Sequence, residues 1–353
     1  MIEIKNVHKN YGRKQVLNGV SFTIPKGEIT SLIGINGSGK TTILNHIMNL
    51  LPMTSGEILV DGEKHSPALY EKVAFIPDAA IMLPEMKIEE AMNFMATFYD
   101  SWNQERADEM LVFFRLNKED KISALSKGNV AKVNLLLGLA LDVDYVLMDE
   151  PFSNLDHRLR DQIRQNTIEI LKQTGTTTVI VTHDPEEALQ IADQIILMHQ
   201  GGIIQIGTPK ALYRQPATLF AARYFSALNE IPAQRVAQQL QTCFGAHPIS
   251  EALAHHQEPI RCCFRPHQVQ VFSQPTTGAI PATVLSSSFM GHAEQLRLQL
   301  DPETIILAQV SPAHTAYQEQ VYVSLDLQQC FFFAQDSQPK AHTTTTAEVA
   351  NAF

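Results

Sequence analysis

The stretch Gly34-Ile35-Asn36-Gly37-Ser38-Gly39-Lys40-Thr41-Thr42 constrains this chain more than any other, because it dictates a local fold and a ligand together. It fits G-x-x-x-x-G-K-[ST], with Gly34, Gly39, Lys40 and Thr41 at the fixed positions. Ahead of it, Glu28 to Ile33 reads as a buried strand. Behind it, Thr42 to Met48 sets Ile43, Leu44, Ile47 and Met48 on one helical face. In a strand–loop–helix unit of this kind the glycines let backbone N–H groups curl around phosphate oxygens with no Cβ in the way. The helix start adds partial positive charge and unpaired donors. Lys40 is placed for the β- and γ-phosphates and the Thr41 hydroxyl for Mg²⁺, while Asn36, Gly37, Ser38 and Thr42 complete the nucleotide-binding set. The expectation is a nucleoside-triphosphate site.

At 353 residues the chain has room for one domain of ordinary size and one smaller. Its formal charge of −10 argues against nucleic acid as the main partner. Four cysteines without C-x-x-C spacing fit a reduced, cytosolic compartment. Met1 to Lys5 begins directly in a strand pattern, with no basic region leading into an apolar one. The most apolar run, Val133 to Leu141, is too short to span a bilayer, so work at a membrane would need another polypeptide as anchor.

Ile2 to Val7, Val16 to Ile24, Gly56 to Gly62 and Val73 to Pro77 read as strands. Helical spacing follows over Ile88–Phe98, Gln104–Phe114 and Gly128–Leu141. Tyr145 to Met148 is a strand without alternation, as in a parallel sheet covered on both faces. A helix over Leu159–Lys172, a strand over Thr177–Val181, a helix from Asp184 and a strand over Gln194–Met198 complete an α/β P-loop pattern with a helical insert. Residues 233–258, rich in Gln and His, read as a weakly helical linker. Residues 259–334 carry short strand-like runs, the pattern of a small β-barrel of the oligomer-binding type. Residues 335–353, with a Thr343–Thr346 run, read as a disordered tail.

Tyr145 to Glu150 ends a buried strand in two carboxylates. Asp149 is placed to hold Mg²⁺ through water, and Glu150 to orient or deprotonate an attacking water. The strand Val179–Thr182 ends in His183, placed to sense the γ-phosphate. Leu125 to Asn129 opens a helix and offers a second phosphate contact some twenty residues before Asp149. The order of these segments, with Ser153-Asn154-Leu155-Asp156 between the acids and His183, resembles the ATP-binding subunit of ABC transporters over residues 1–232. The resemblance implies an ATPase that binds ATP and Mg²⁺ in a nucleotide-sandwiched dimer at the cytoplasmic face of the membrane. Ser126 and Gly128 of one copy would close on the ATP held by the other, with Asp156 in the loop that communicates across the dimer. Tyr11 matches the aromatic that stacks on adenine, and residues of about 85–141 match the helical subdomain. Transmembrane permease subunits and, through them, a substrate-binding protein are the implied partners.

Two departures stand out. The signature reads Leu-Ser-Lys-Gly-Asn, so Lys127 and Asn129 replace the commoner Gly and Gln. The family's metal-touching glutamine is replaced by Asp78, a shorter and charged side chain that still reaches a metal-bound water. Ala79 to Met86 matches the stretch that receives the membrane partner, where Met82 and Met86 suit either an adaptable groove or plain core packing. Up to about Pro151 the chain resembles exporter ATPases. From Phe152 onward, Asp156 to Arg160, Thr182 to Ala188 and Gly207-Thr208-Pro209 resemble importer ATPases, most closely those for ferric ion, and Phe264-Arg265-Pro266 resembles the start of their regulatory β-domain. Import, with ferric ion as cargo, is the reading expected; an exporter ATPase and a weakly hydrolysing regulatory module are the alternatives. Cys262, Cys263, His267, His255 and His256 invite a metal reading, but adjacent strand residues face opposite ways, so one buried and one exposed cysteine is expected.

Overall fold

The protein, described here from a computed structural model, is defined over residues 1–250, 253, 259–312 and 319–334. The expected tail, with His255 and His256 of the linker, lies outside the described residues. Two compact units divide between Leu212 and Tyr213.

The first unit begins with β1 (Ile2–Tyr11), β2 (Lys14–Ile24), β3 (Ile29–Gly34), α1 (Lys40–Ile47), β4 (Ser55–Val60), β5 (Glu63–Lys64) and β6 (Val73–Ile76). The helices α2 (Ile88–Phe98), α3 (Gln104–Phe113) and α4 (Lys127–Leu139) follow. Then come β7 (Tyr145–Asp149), α5 (His157–Thr174), β8 (Thr177–Thr182), α6 (Pro185–Ile191), β9 (Gln194–His199) and β10 (Gly202–Gly207). Among the described residues, β2-β1-β4-β5 form one antiparallel sheet and β10-β9-β3-β8-β7-β6 the other. In the second sheet only β10 runs antiparallel to its neighbour.

The absence of alternation in β7 has a direct cause. Tyr145 and Leu147 enter the core shared with α1 and the antiparallel sheet, while Val146 and Met148 enter the core under α2, α3 and α4. Each such side chain, fully buried, stabilises the fold by about 1.5–3 kcal/mol. The helix α4 lies close on β6: a Cβ on Gly138 would come within 2.4 Å of Ile76 Cγ1. No helix among the described residues is long and apolar enough to cross a membrane.

The second unit opens after α7 (Pro209–Arg214), whose last residues belong to it, with α8 (Leu219–Phe225). Its strands are β11 (Asn229–Val236), β12 (Gln239–Thr242), β13 (Gly245–Pro248), β14 (Ile260–Phe264) and β15 (Val269–Phe272). They continue with β16 (Ile280–Phe289), β17 (Glu294–Gln299), β18 (Ile305–Val310), β19 (Gln320–Leu325) and β20 (Phe331–Ala334). Two five-stranded antiparallel sheets result, β13-β12-β11-β14-β20 and β15-β19-β16-β17-β18. In the second, the edge strands β15 and β18 approach each other, as in a barrel nearly closed.

This corrects the linker expected over 233–258. Residues up to Pro248 form two hairpins, because β11 pairs with β14 from Asn229 opposite Phe264 to Ala233 opposite Ile260. Ala237, at φ 55°, turns the chain between Val236 and Gln239, and Leu240 enters the core. Pairing partners outside the segment override its helical composition. The same pairing draws residues before 232 into the second unit. The cysteine expectation is corrected as well: Cys262 and Cys263 are both fully buried, since β14 is a central strand covered on both faces. No group of three or more His, Cys, Asp or Glu side chains able to hold a metal ion occurs among the described residues. Arg265 is buried too, stacked 3.6 Å from the Tyr213 ring and donating to the Tyr213 carbonyl at 2.6 Å and to the Ser226 hydroxyl.

The tightest constraint in the first unit falls on Gly34, at φ 151°, where a Cβ would lie 2.2 Å from the Met198 carbonyl oxygen. That oxygen belongs to the β9 backbone and cannot swing aside. Gly34→Ala is expected to destabilise the first unit by about 3 kcal/mol or more, read as a fall in urea midpoint with unchanged m-value.

Candidate functional site

Parallel pairing sets the site. Ile33 of β3 lies opposite Thr182 of β8, and Val181 of β8 opposite Asp149 of β7, so three strands end together. Ligands of open α/β sheets bind beyond these carboxyl ends. Here they release the glycine loop, the acid pair and His183 into one cleft of about 750 Å³. Tyr11, Asn36, Gly37, Gly39, Lys40, Thr41 and Thr42 line it on the loop side; Asp78, Asp149, Glu150, Ser153 and His183 line it opposite.

The loop is shaped for a guest. Gly37, at φ 81°, has open space where a Cβ would project, and Gly39, at φ 104°, would drive one to 2.5 Å from Leu17 Cδ2. The buried Ser38 hydroxyl has no hydrogen-bond partner among the described residues. Lys40 folds back onto the loop, donating to the Gly34 carbonyl at 2.8 Å and the Ile35 carbonyl at 3.3 Å. Burial lowers the Lys40 pKa, while Glu150 and Asp149 act against that shift. These carbonyls are weak partners for a buried ammonium, which an anionic phosphate would satisfy better.

The metal side is equally uncompensated. Thr41 Oγ1 donates to Asp149 Oδ1 at 3.2 Å. Burial, with the charges of Glu150 and Asp78, raises the Asp149 pKa; the Thr41 bond and Lys40 lower it. A hydroxyl and carboxylates converging on one partly buried spot suit Mg²⁺, which takes oxygen ligands and keeps several waters. Glu150 adopts φ 50°, a left-handed backbone costly for a residue with a side chain. Its N–H donates to Val181 O at 2.9 Å, and Ser153 Oγ donates to its carbonyl at 2.9 Å. In this pose Glu150 Oε2 accepts from His183 Nδ1 at 2.6 Å.

Several expected residues lie elsewhere. Gly34 and Ser38 are buried behind the cleft, and Ser126, Gly128 and Asp156 do not line it. Ser126 caps α4, accepting from the Asn129 N–H at 3.3 Å, and a Cβ on Gly128 would sit 3.0 Å from Asn154 O. Tyr11 is half exposed at the rim, with Lys9 Nζ 4.8 Å above its ring. Sequence reasoning missed Lys14 and Val16 at the rim: β2 carries them past the loop, and no motif announces that.

Comparisons with known proteins agree with this geometry. The family model described as ABC transporter matches residues 17–153, and the TOBE domain model matches residues 262–333. The sulfate/thiosulfate import ATP-binding protein CysA of Yersinia pseudotuberculosis is 32% identical over 324 residues, covering 87% of this chain and 89% of the relative. The spermidine/putrescine import ATP-binding protein PotA of Legionella pneumophila is 30% identical over 325 residues, with the same coverage of 87% and 89%. Among solved structures, an ATP-binding subunit of an ABC transporter superposes with a TM-score of 0.55 at 27% identity, covering 61% of this chain and 92% of its own. A dimeric ATP-binding cassette in a post-hydrolysis state, bound to ADP and Pi, gives a TM-score of 0.54 at 27% identity, covering 59% and 99%.

Behind the cleft lies Glu187 of α6, which sequence reasoning also missed. It is 4% exposed, its Oε1 has no partner among the described residues, and its pKa is raised to about 7. Burial is the largest cause; Asp184 and Glu150 add to it, while Arg164 and the Thr182 hydroxyl oppose it. A folded-state pKa above the ordinary 4.5 means the folded chain holds this proton after the unfolded chain has lost it. Stability therefore falls as pH rises from about 4.5 to about 7, by at most about 3 kcal/mol. Glu187→Gln is expected to match the parent near pH 4.5 and to exceed it by up to that amount at pH 8, measured by urea denaturation at both pH values.

Proposed function

The chain belongs to the ATP-binding subunits of ABC transporters, and from that premise we propose that it drives import of a small solute through a membrane permease, working as a nucleotide-sandwiched homodimer. It is an ATPase that takes ATP with Mg²⁺. The observation that carries the reading is the hydrogen bond between Glu150 and His183 at the open end of the phosphate loop, in one cleft with Lys40, Thr41 and Asp149. In this reading Asn36, Gly37, Gly39 and Thr42 cradle the phosphates, and Tyr11 stacks on adenine. Gly34 and Ser38 support the loop from behind. Lys40 leaves the loop carbonyls for phosphate oxygens. When bound, Mg²⁺ would supply positive charge against the transferred phosphoryl group. Thr41 and Asp149 would hold it, with Asp78 beside them.

Glu150 orients the attacking water and takes its proton, while the His183 Nδ1–H holds the carboxylate in place and the opposite side of the ring faces the γ-phosphate. Ser126, Gly128 and Asp156, outside the cleft of their own chain, act on the nucleotide of the partner copy. The resemblance to a cassette solved as a dimer supports this arrangement. The first unit, residues 1–212, is assigned to the ATP-binding function, with the helical subdomain over about 85–141, and residues 259–334 of the second unit to a regulatory β-domain. The permease would hold the chain at the cytoplasmic face of the membrane and receive solute from a substrate-binding protein. The ferric-ion cargo expected from sequence has no counterpart in the relatives named, which import sulfate, thiosulfate or polyamines; those solutes are the ones to try first.

Glu150→Gln is expected to keep ATP binding, accumulate as a dimer with ATP and lose turnover by about 10²–10⁴-fold. Hydrolysis and size-exclusion measurements on purified protein check this, and turnover at the parent rate would remove Glu150 from its role.

A second reading, a nucleotide-gated module with weak hydrolysis, rests on Asp78, which adds a third carboxylate to the cleft, and on Lys127 in the signature. Under it, Asp78→Gln combined with Lys127→Gly raises the hydrolysis rate in a phosphate-release assay; an unchanged rate removes it.

A further inference from the structure

The helix α4 carries Asn134 between Val133 and Leu135, in a run otherwise built for a hydrophobic core. Asn134 is 2% exposed, so its amide was taken out of water and must be satisfied inside the protein. Its Nδ2 donates to Ala79 O at 2.7 Å and to Pro77 O at 3.2 Å. Both acceptors are carbonyls, which cannot donate, so the NH₂ side of the amide must face them and both its hydrogens are used. The residue between those two carbonyls is Asp78.

One turn along the same face, Gly138 brings α4 against Ile76, where a Cβ would fall within 2.5 Å of two side-chain atoms. The helix thus grips the end of β6 at Ile76 and the loop beyond it at Pro77 and Ala79. Two turns before Asn134, about 12 Å along the axis, the same helix begins at the Ser126 cap.

We propose that Asn134 is a positioning residue: it pins the Asp78 loop to α4, and so sets the reach of the Asp78 carboxylate toward Mg²⁺ at Thr41 and Asp149. This rests on the reading of Asp78 as a metal-side group. Asp78 contributes the chemistry, and Asn134 touches neither metal nor nucleotide. A short acidic side chain has little slack, so it needs its backbone held more closely than a longer one would.

The test uses the full chain. Asn134→Leu keeps the branched shape and helical character but removes both donors; Asn134→Ala serves if the leucine variant does not fold. NMR order parameters of the backbone over residues 78–82, without nucleotide or metal, read how firmly the pinned loop is held. They are expected to fall toward the flexible range, while those of β3 and β8 stay at the parent values. In hydrolysis assays the Mg²⁺ concentration for half-maximal rate is expected to rise about tenfold, with kcat at saturating Mg²⁺ changed less. On an Asp78→Ala background, which raises that concentration by itself, Asn134→Leu should add nothing further. Unchanged order parameters over 78–82 overturn the proposal from the Asn134 side, as does a full additional effect on the Asp78→Ala background. Lowered order parameters with no change in Mg²⁺ dependence in either the Asn134 or the Asp78 variant overturn it from the other side, by removing Asp78 from the metal.

Discussion

The hydrogen-bond ladder that joins β3 to β8 and β8 to β7 keeps the chemistry of this molecule in register. Each of these strands ends in a residue with a separate task, and those residues are far apart along the chain. A slip of two residues in either pairing would move His183 or Glu150 by about 6.6 Å, far outside hydrogen-bond reach. The register is defended by burial on both faces. Moving Val146, Leu147 and Met148 along the ladder would expose side chains from one of two cores. Stability and catalysis therefore draw on the same contacts.

Charge inside the cleft is left unbalanced on purpose of a guest. Lys40 rests on carbonyl oxygens, Asp149 has a raised pKa, and Asp78 and Glu150 add negative charge near it. In the absence of ligand Lys40 and Asp149 cost stability, because burial disfavours their charged forms. Phosphate and Mg²⁺ reverse those costs, so binding energy is stored in the unliganded fold. The left-handed Glu150 belongs to the same economy: its strain is held by bonds to Val181 and Ser153, and it aims the carboxylate at His183.

In the second unit a different rule governs. Its strands are short, its composition is polar, and its form comes from pairing across long sequence separations. Arg265 shows how such a unit holds its entry segment. Among the described residues a buried guanidinium finds no carboxylate there but a tyrosine ring, a backbone carbonyl and a serine hydroxyl, which together replace much of its hydration.

The sequence by itself determined the phosphate loop and its flanking strand and helix, because G-x-x-x-x-G-K-T has few other uses and its flanks carry clear periodicity. It also determined the order of the acid pair, the signature and His183, and the strands over Tyr145–Met148 and Thr177–Val181, which run without polar–apolar alternation. It did not reveal the hairpins over 229–248, whose Gln-rich composition favours helix and whose strand form depends on β14, or the burial of both Cys262 and Cys263. Only the tertiary structure decided that Ser126, Gly128 and Asp156 stay outside their own cleft, that Glu187 lies buried behind it, and that Asn134 grips the loop of Asp78. The physical reason is common to all of these. Local propensity and motif spacing are written in neighbouring residues, whereas burial and hydrogen-bond partnership are properties of what the rest of the chain brings alongside.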